Sequence, residues 1–129
     1  VSFASELRNF TVKAERNAEK VFRDTTIALF SQIIKRTPVK TGRLRGNWQT
    51  DVNREKEAVI ERSGAEAAIN EVVLEASQAN LGDSIYLTNN LPYAKVIEDG
   101  SSTQAPSGMV KVTALEFERE IKKQSRRLI

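Results

Sequence analysis

Any reaction carried by this chain would have to rest on carboxylate, Lys or Tyr groups, because the usual thiol and imidazole groups are missing. The 129 residues include no Cys and no His. That removes the thiolate nucleophile, the imidazole base, the Ser-His-Asp triad, the disulfide framework and the Cys/His zinc site together. Carboxylate, Lys and Tyr chemistry remain. Adjacent carboxylates occur once, at Glu98-Asp99, and Glu55 and Glu57 stand close together in a polar stretch. Paired carboxylates bind a divalent metal or divide acid and base roles only where several chain segments converge on them. Glu98-Asp99 runs directly into Gly100, so its acids are expected to end a helix and meet solvent. Gly42-Arg43-Leu44-Arg45-Gly46 is cationic and flanked by glycines, yet it lacks both the glycine spacing and the Lys-Ser/Thr of a phosphate-binding loop. The residues therefore predict no catalysis, no metal and no cofactor.

Charge points to binding instead. Twenty Lys and Arg against 17 Asp and Glu leave a net charge of +3, too small for a general nucleic-acid binder. The cations are clustered, however. Lys35, Arg36, Lys40, Arg43 and Arg45 share an acid-free connector, and Arg119, Lys122, Lys123, Arg126 and Arg127 gather near the C-terminal end. Trp48 and Tyr93 are aromatic groups that would stack on bases. A small nucleic-acid-associated protein using clusters 35–45 and 119–127 is thus the alternative reading, opposed by the lack of any helix combining a basic face with base-reading side chains.

The elements that position these residues follow from periodicity. Residues 3–36 contain neither Gly nor Pro, and Phe3, Leu7, Phe10, Ala14, Val21, Ile27, Leu29, Phe30, Ile33 and Ile34 recur at helical spacing. One long helix is expected, ended by Thr37-Pro38. Its distal half should enter the core, and its proximal half should pack more lightly or need a partner subunit. Trp48, Thr50 and Val52 alternate with polar residues as a half-buried strand does, and a second strand is expected at residues 58–61. Residues 63–82 read as a helix, though the β-branched Ile69, Val72 and Val73 leave a strand reading open; 85–88 read as a strand and 93–98 as a short helix. Residues 108–128 read as one C-terminal helix whose closing cations suit its dipole. Residues 101–108 form a polar loop with no large apolar anchor, expected to be mobile in a free subunit. The expected fold is α+β, one domain over residues 1–129: a long helix at 3–36, a sheet with short helices over 45–100, and the C-terminal helix, with both terminal helices packed against a small antiparallel sheet. Trp48, Phe30, Ile33, Leu87 and Phe117 should meet in one core. No stretch is apolar enough to span a bilayer. The start of the chain lacks the basic and apolar pattern of a secretion signal, so no membrane partner and no export are expected.

Three motifs go beyond generic α+β. Thr37-Pro38-Val39-Lys40-Thr41-Gly42-Arg43-Leu44-Arg45-Gly46-Asn47-Trp48 comes first. Asn89-Asn90-Leu91-Pro92-Tyr93-Ala94 follows, and then Gln104-Ala105-Pro106-Ser107-Gly108-Met109-Val110. In this order, after a long helix, they resemble the neck or tail-completion proteins of long-tailed phages, the head–tail joining components of the minor tail protein Z type of lambda-like phages. The resemblance covers residues 33–117 and skips 50–82. It implies a structural virion protein, assembled in the host cytoplasm, that forms a ring, a hexamer by resemblance, at the head-proximal end of the tail. Its partners would be further copies of itself, the tail tube protein and a head connector or adaptor, with DNA passing only transiently through the lumen. The candidate interaction residues are Lys40, Arg43, Arg45, Gln104, Ala105, Pro106 and Ser107.

Overall fold

Without a helix breaker from residue 3 to 36, the chain forms one uninterrupted helix, α1 (Phe3–Arg36). The computed structural model describes residues 3–39, 41–100, 104–105 and 108–127, with side chains from residue 16 onward. Lys40, Pro106 and Ser107 lie outside the described residues. The C-terminus of α1 is closed by its own sequel. Thr37 donates its hydroxyl to the Ile33 carbonyl at 2.8 Å, and the Arg45 guanidinium donates to the carbonyls of Lys35 and Thr37, both at 2.7 Å. Carbonyls that a helix end leaves open are thereby satisfied.

The short helix α2 (Arg43–Gly46) leads into β1 (Trp48–Val52), α3 (Ala65–Gln78), β2 (Ile85–Asn89), α4 (Ala94–Glu98), α5 (Val110–Ala114) and α6 (Phe117–Arg126). The fold is α+β. β1 and β2 pair antiparallel, with Trp48 opposite Asn89 and Val52 opposite Ile85. Residues 58–61 do not become a strand, contrary to the sequence expectation, because the outer edge of β1 is already occupied. The Thr50 N–H donates to the Glu71 carboxylate at 2.7 Å, and the Trp48 carbonyl accepts from Arg62 at 2.6 Å. Arg62 also pairs with Glu71. Side chains thus cover an edge that a third strand would have used. Residues 58–60 are held alongside by side-chain bonds, from Gln49 to the Ala58 carbonyl and from the Ile60 N–H to Asn47. That covering buries Gln49 and Asp51 as well as Trp48 and Thr50, so β1 lacks the expected alternation of exposure.

The core forms where the distal half of α1 meets α3 and β1. Ile33, Ile34, Trp48, Ala68, Val72, Ala105 and Met109 are buried together, with Phe30 and Leu87 packed against them. A second cluster of Leu44, Leu91 and Ala94 adjoins it through Ile97. Four of the five expected core residues converge. Phe117 does not: it is 52% exposed. The C-terminal segment is also two helices rather than one. Arg36, at the end of α1, donates to the Thr113 hydroxyl at 2.8 Å and the Glu116 carboxylate at 2.6 Å. This clamp holds the turn at Leu115-Glu116 without any Gly or Pro. It leaves Leu115 86% exposed and sets Phe117 at the start of α6 on a surface. α3 stops at Gln78, short of the expected Gly82, where Ala79 becomes extended and its carbonyl accepts from Arg23.

Candidate functional site

The three sequence motifs, spread over residues 37–110, fold together at the end of α1. Trp48 is 6% exposed and donates its indole N–H to the Thr37 hydroxyl at 2.8 Å, joining the two ends of the first motif. Gly42 adopts φ +81, and its carbonyl accepts from the N–H groups of Gly46 and Gly64. A Cβ on Gly46 would overlap the Arg62 carbonyl, so the close approach there requires glycine. The second motif docks through Asn89, which donates to the Leu44 carbonyl at 2.9 Å, and through the buried Leu91 and Ala94. The third docks through Gln104, whose side-chain oxygen accepts the Val39 N–H at 3.1 Å, and through Ala105 and Met109 in the core.

The resulting face carries exposed Val39 and Tyr93. Pro38, Val39, Leu44, Tyr93, Ile97 and Gln104 line a shallow cleft of about 280 Å³. Arg43 is exposed beside it. The other candidates divide by role. Arg45 is half-buried, with its guanidinium bonded to carbonyls of α1 and the following residue. Ala105 is 5% exposed, so the 101–108 loop has an anchor that its composition did not reveal. Gln104 is exposed and tied to the first motif. Trp48, buried in the core, presents no stacking surface for a base.

Glu98, expected to face solvent at a helix end, instead organises the third motif. Its carboxylate accepts backbone N–H groups from Met109 at 2.7 Å, Val110 at 2.8 Å and Lys111 at 3.0 Å. These are the open donors at the start of α5. Burial pushes the Glu98 carboxyl upward, but the N–H groups of Val110, Met109 and Lys111 and the Lys111 ammonium outweigh it and hold it below the usual carboxylate range. Gly108, at φ +82, lies so close that a Cβ would meet the Glu98 carbonyl. Asp99 faces solvent near Lys111. The Arg36 guanidinium likewise holds the Glu116 carboxyl below its ordinary value. Among the described residues no three acidic side chains converge to hold a metal ion, and no helix is long and apolar enough to cross a membrane.

A second surface lies along the other side of the α1 end. Val21, Phe22, Leu29 and Phe30 of α1, Ile85 of β2, Val110 and Ala114 of α5, and Phe117 and Ile121 of α6 line an open groove of about 680 Å³. Its lining is mainly apolar, with Thr25, Thr26 and Thr113 among it. Sequence periodicity missed it because the helical stripe marks which residues are apolar, while the Arg36 clamp decides that α5 and α6 diverge over them. Comparison with protein families, characterised proteins and solved structures finds no match to this chain.

Proposed function

We propose that the protein is a structural subunit of a phage neck, forming a ring that completes the head-proximal end of the tail tube and joins it to the head connector. The observation that carries this reading is the convergence of the three motifs behind the resemblance into one face. Most of their polar and glycine residues are spent on building that face: Gly42 and Gly46 shape the connector, Arg45 closes α1, and Asn89 and Gln104 tie the segments, while Glu98, just outside the motifs, fixes the start of α5. What the face leaves exposed is Val39, Tyr93 and Arg43, a mixed apolar and cationic surface suited to a protein partner. In this reading the protein is not an enzyme and resides in the virion.

The functional test is complementation. A phage lacking this gene should accumulate separate heads and tails, and supplying the chain should restore joining. A variant with Tyr93→Ala and Arg43→Ala should fold normally and fail to restore it. The competing reading is a nucleic-acid-associated protein. It would win if the free chain bound duplex or single-stranded DNA with an affinity falling steeply as salt rises, and if joining proceeded without it.

A further inference from the structure

We propose that the apolar groove between α1 and the α5–α6 segment receives the N-terminal stretch of α1, residues 3–14, from a second copy of this chain. The inference concerns how copies touch and stands without the neck reading, since self-association is measured with no tail present.

Length gives the first reason. A 34-residue helix extends about 51 Å, whereas a 129-residue domain has a radius of gyration of about 14 Å and hence a diameter of roughly 36 Å. One end of α1 must overhang. The distal end is tied down by Arg45 and by the Arg36 clamp, so the overhang is N-terminal. The sequence of that overhang gives the second reason. Phe3, Leu7, Phe10 and Ala14 follow one another at intervals of four, three and four residues, the spacing of a seam that packs one helix on another.

The groove matches such an occupant. It runs along α1 from Ala18 to Ile33, about 22 Å, and residues 3–14 form about 17 Å of helix. Phe22, Phe30 and Phe117 give it aromatic walls.

Helix continuity makes the contact intermolecular. Residues 3–14 and the groove wall belong to the same unbroken helix, with no Gly or Pro at which it would fold back. A copy cannot fill its own groove. Arm and groove are different surfaces, so each contact leaves one free arm and one free groove, and repetition produces a closed ring or an open filament.

Sedimentation velocity of the full chain over a range of concentrations tests this directly. Wild type should self-associate reversibly. An arm variant, Leu7→Asp with Phe10→Asp, and a groove variant, Phe117→Asp, should each weaken association at least about tenfold while keeping a cooperative thermal transition. Mixed in equal amounts, the two variants should pair and stop at pairs, since one intact arm meets one intact groove. Association of either variant at wild-type strength would overturn the proposal, as would a mixture that fails to pair. Because the chain has no Cys, a second readout covers a groove variant that does not fold. Single-Cys chains Phe10→Cys and Ile121→Cys, mixed under mild oxidation, should form a covalent heterodimer, and its absence would count against the contact. If the groove variant self-associates normally yet no longer binds tails, the occupant is the tail tube and the second-copy assignment falls.

Discussion

Replacing Glu98 by Gln should destabilise the protein by about 1–2 kcal/mol at neutral pH, and the loss should shrink in acid. One carboxylate holds three backbone N–H groups at the start of α5. Removing a capping side chain costs about 0.5–2 kcal/mol, and removing a negative charge from a helix N-terminus about 0.3–1 kcal/mol. Gln keeps one acceptor oxygen for the three donors, so the loss is partial. Ala, which keeps none, should cost about 2–3 kcal/mol. The pH dependence follows from the depressed Glu98 pKa, which the backbone donors and Lys111 produce against the opposing effect of burial. A carboxyl depressed in the folded state stabilises fully above its unfolded pKa of about 4.3, and that stability disappears as pH falls through the lower folded value. Urea denaturation of wild type and Glu98→Gln at neutral pH, near pH 5 and near pH 3 is the assay. The gap should hold at the first two and narrow at the third. A gap below about 0.5 kcal/mol at neutral pH, or one unchanged in acid, would refute the capping role.

Four further outcomes follow from the packing. Phe117→Ala should cost at most about 1.5 kcal/mol by chemical denaturation, well below the 3–5 kcal/mol of a core phenylalanine, because half of the residue is already exposed. Gly46→Ala should cost about 3 kcal/mol or more, seen as a large drop in the urea midpoint, since the new Cβ overlaps the Arg62 carbonyl backbone. Arg45→Ala should lower stability by about 1–2 kcal/mol through the carbonyls it leaves open at the end of α1. Arg43→Ala, at an exposed position, should stay within about 0.5 kcal/mol of wild type. Thermal or urea unfolding of the pair separates the structural cation from the surface one.

The elements with strong local signals were readable from the residues. α1 and its end at Thr37 follow from the absence of breakers and the arrival of Pro38. β1, β2 and α4 lie within a residue or so of where pattern and turn chemistry put them. What escaped depends on side chains reaching across the fold. Residues 58–61 have strand-like composition, but Arg62 and Glu71 occupy the edge they would pair with. Residues 108–128 have continuous helical spacing, but Arg36, about 80 positions earlier, fixes a turn inside them. The 101–108 loop has only small apolar groups, and Ala105 is nonetheless core, because burial depends on the space available and a methyl group suffices to fill it. Glu98 reads as a surface acid until the start of α5 is brought to it. Of the candidate interaction residues, Arg43 and Gln104 lie exposed near the motif face, Arg45 and Ala105 serve the fold, and Lys40, Pro106 and Ser107 fall outside the described residues.

Electron microscopy of purified tails that lack this protein, imaged before and after adding the full chain, tests the proposed role most directly. The neck reading predicts a closed ring of added density at one end of the tube, the end that then joins heads, and loss of that ring with Tyr93→Ala and Arg43→Ala. Tails that remain bare while the same preparation is folded and self-associating would contradict it.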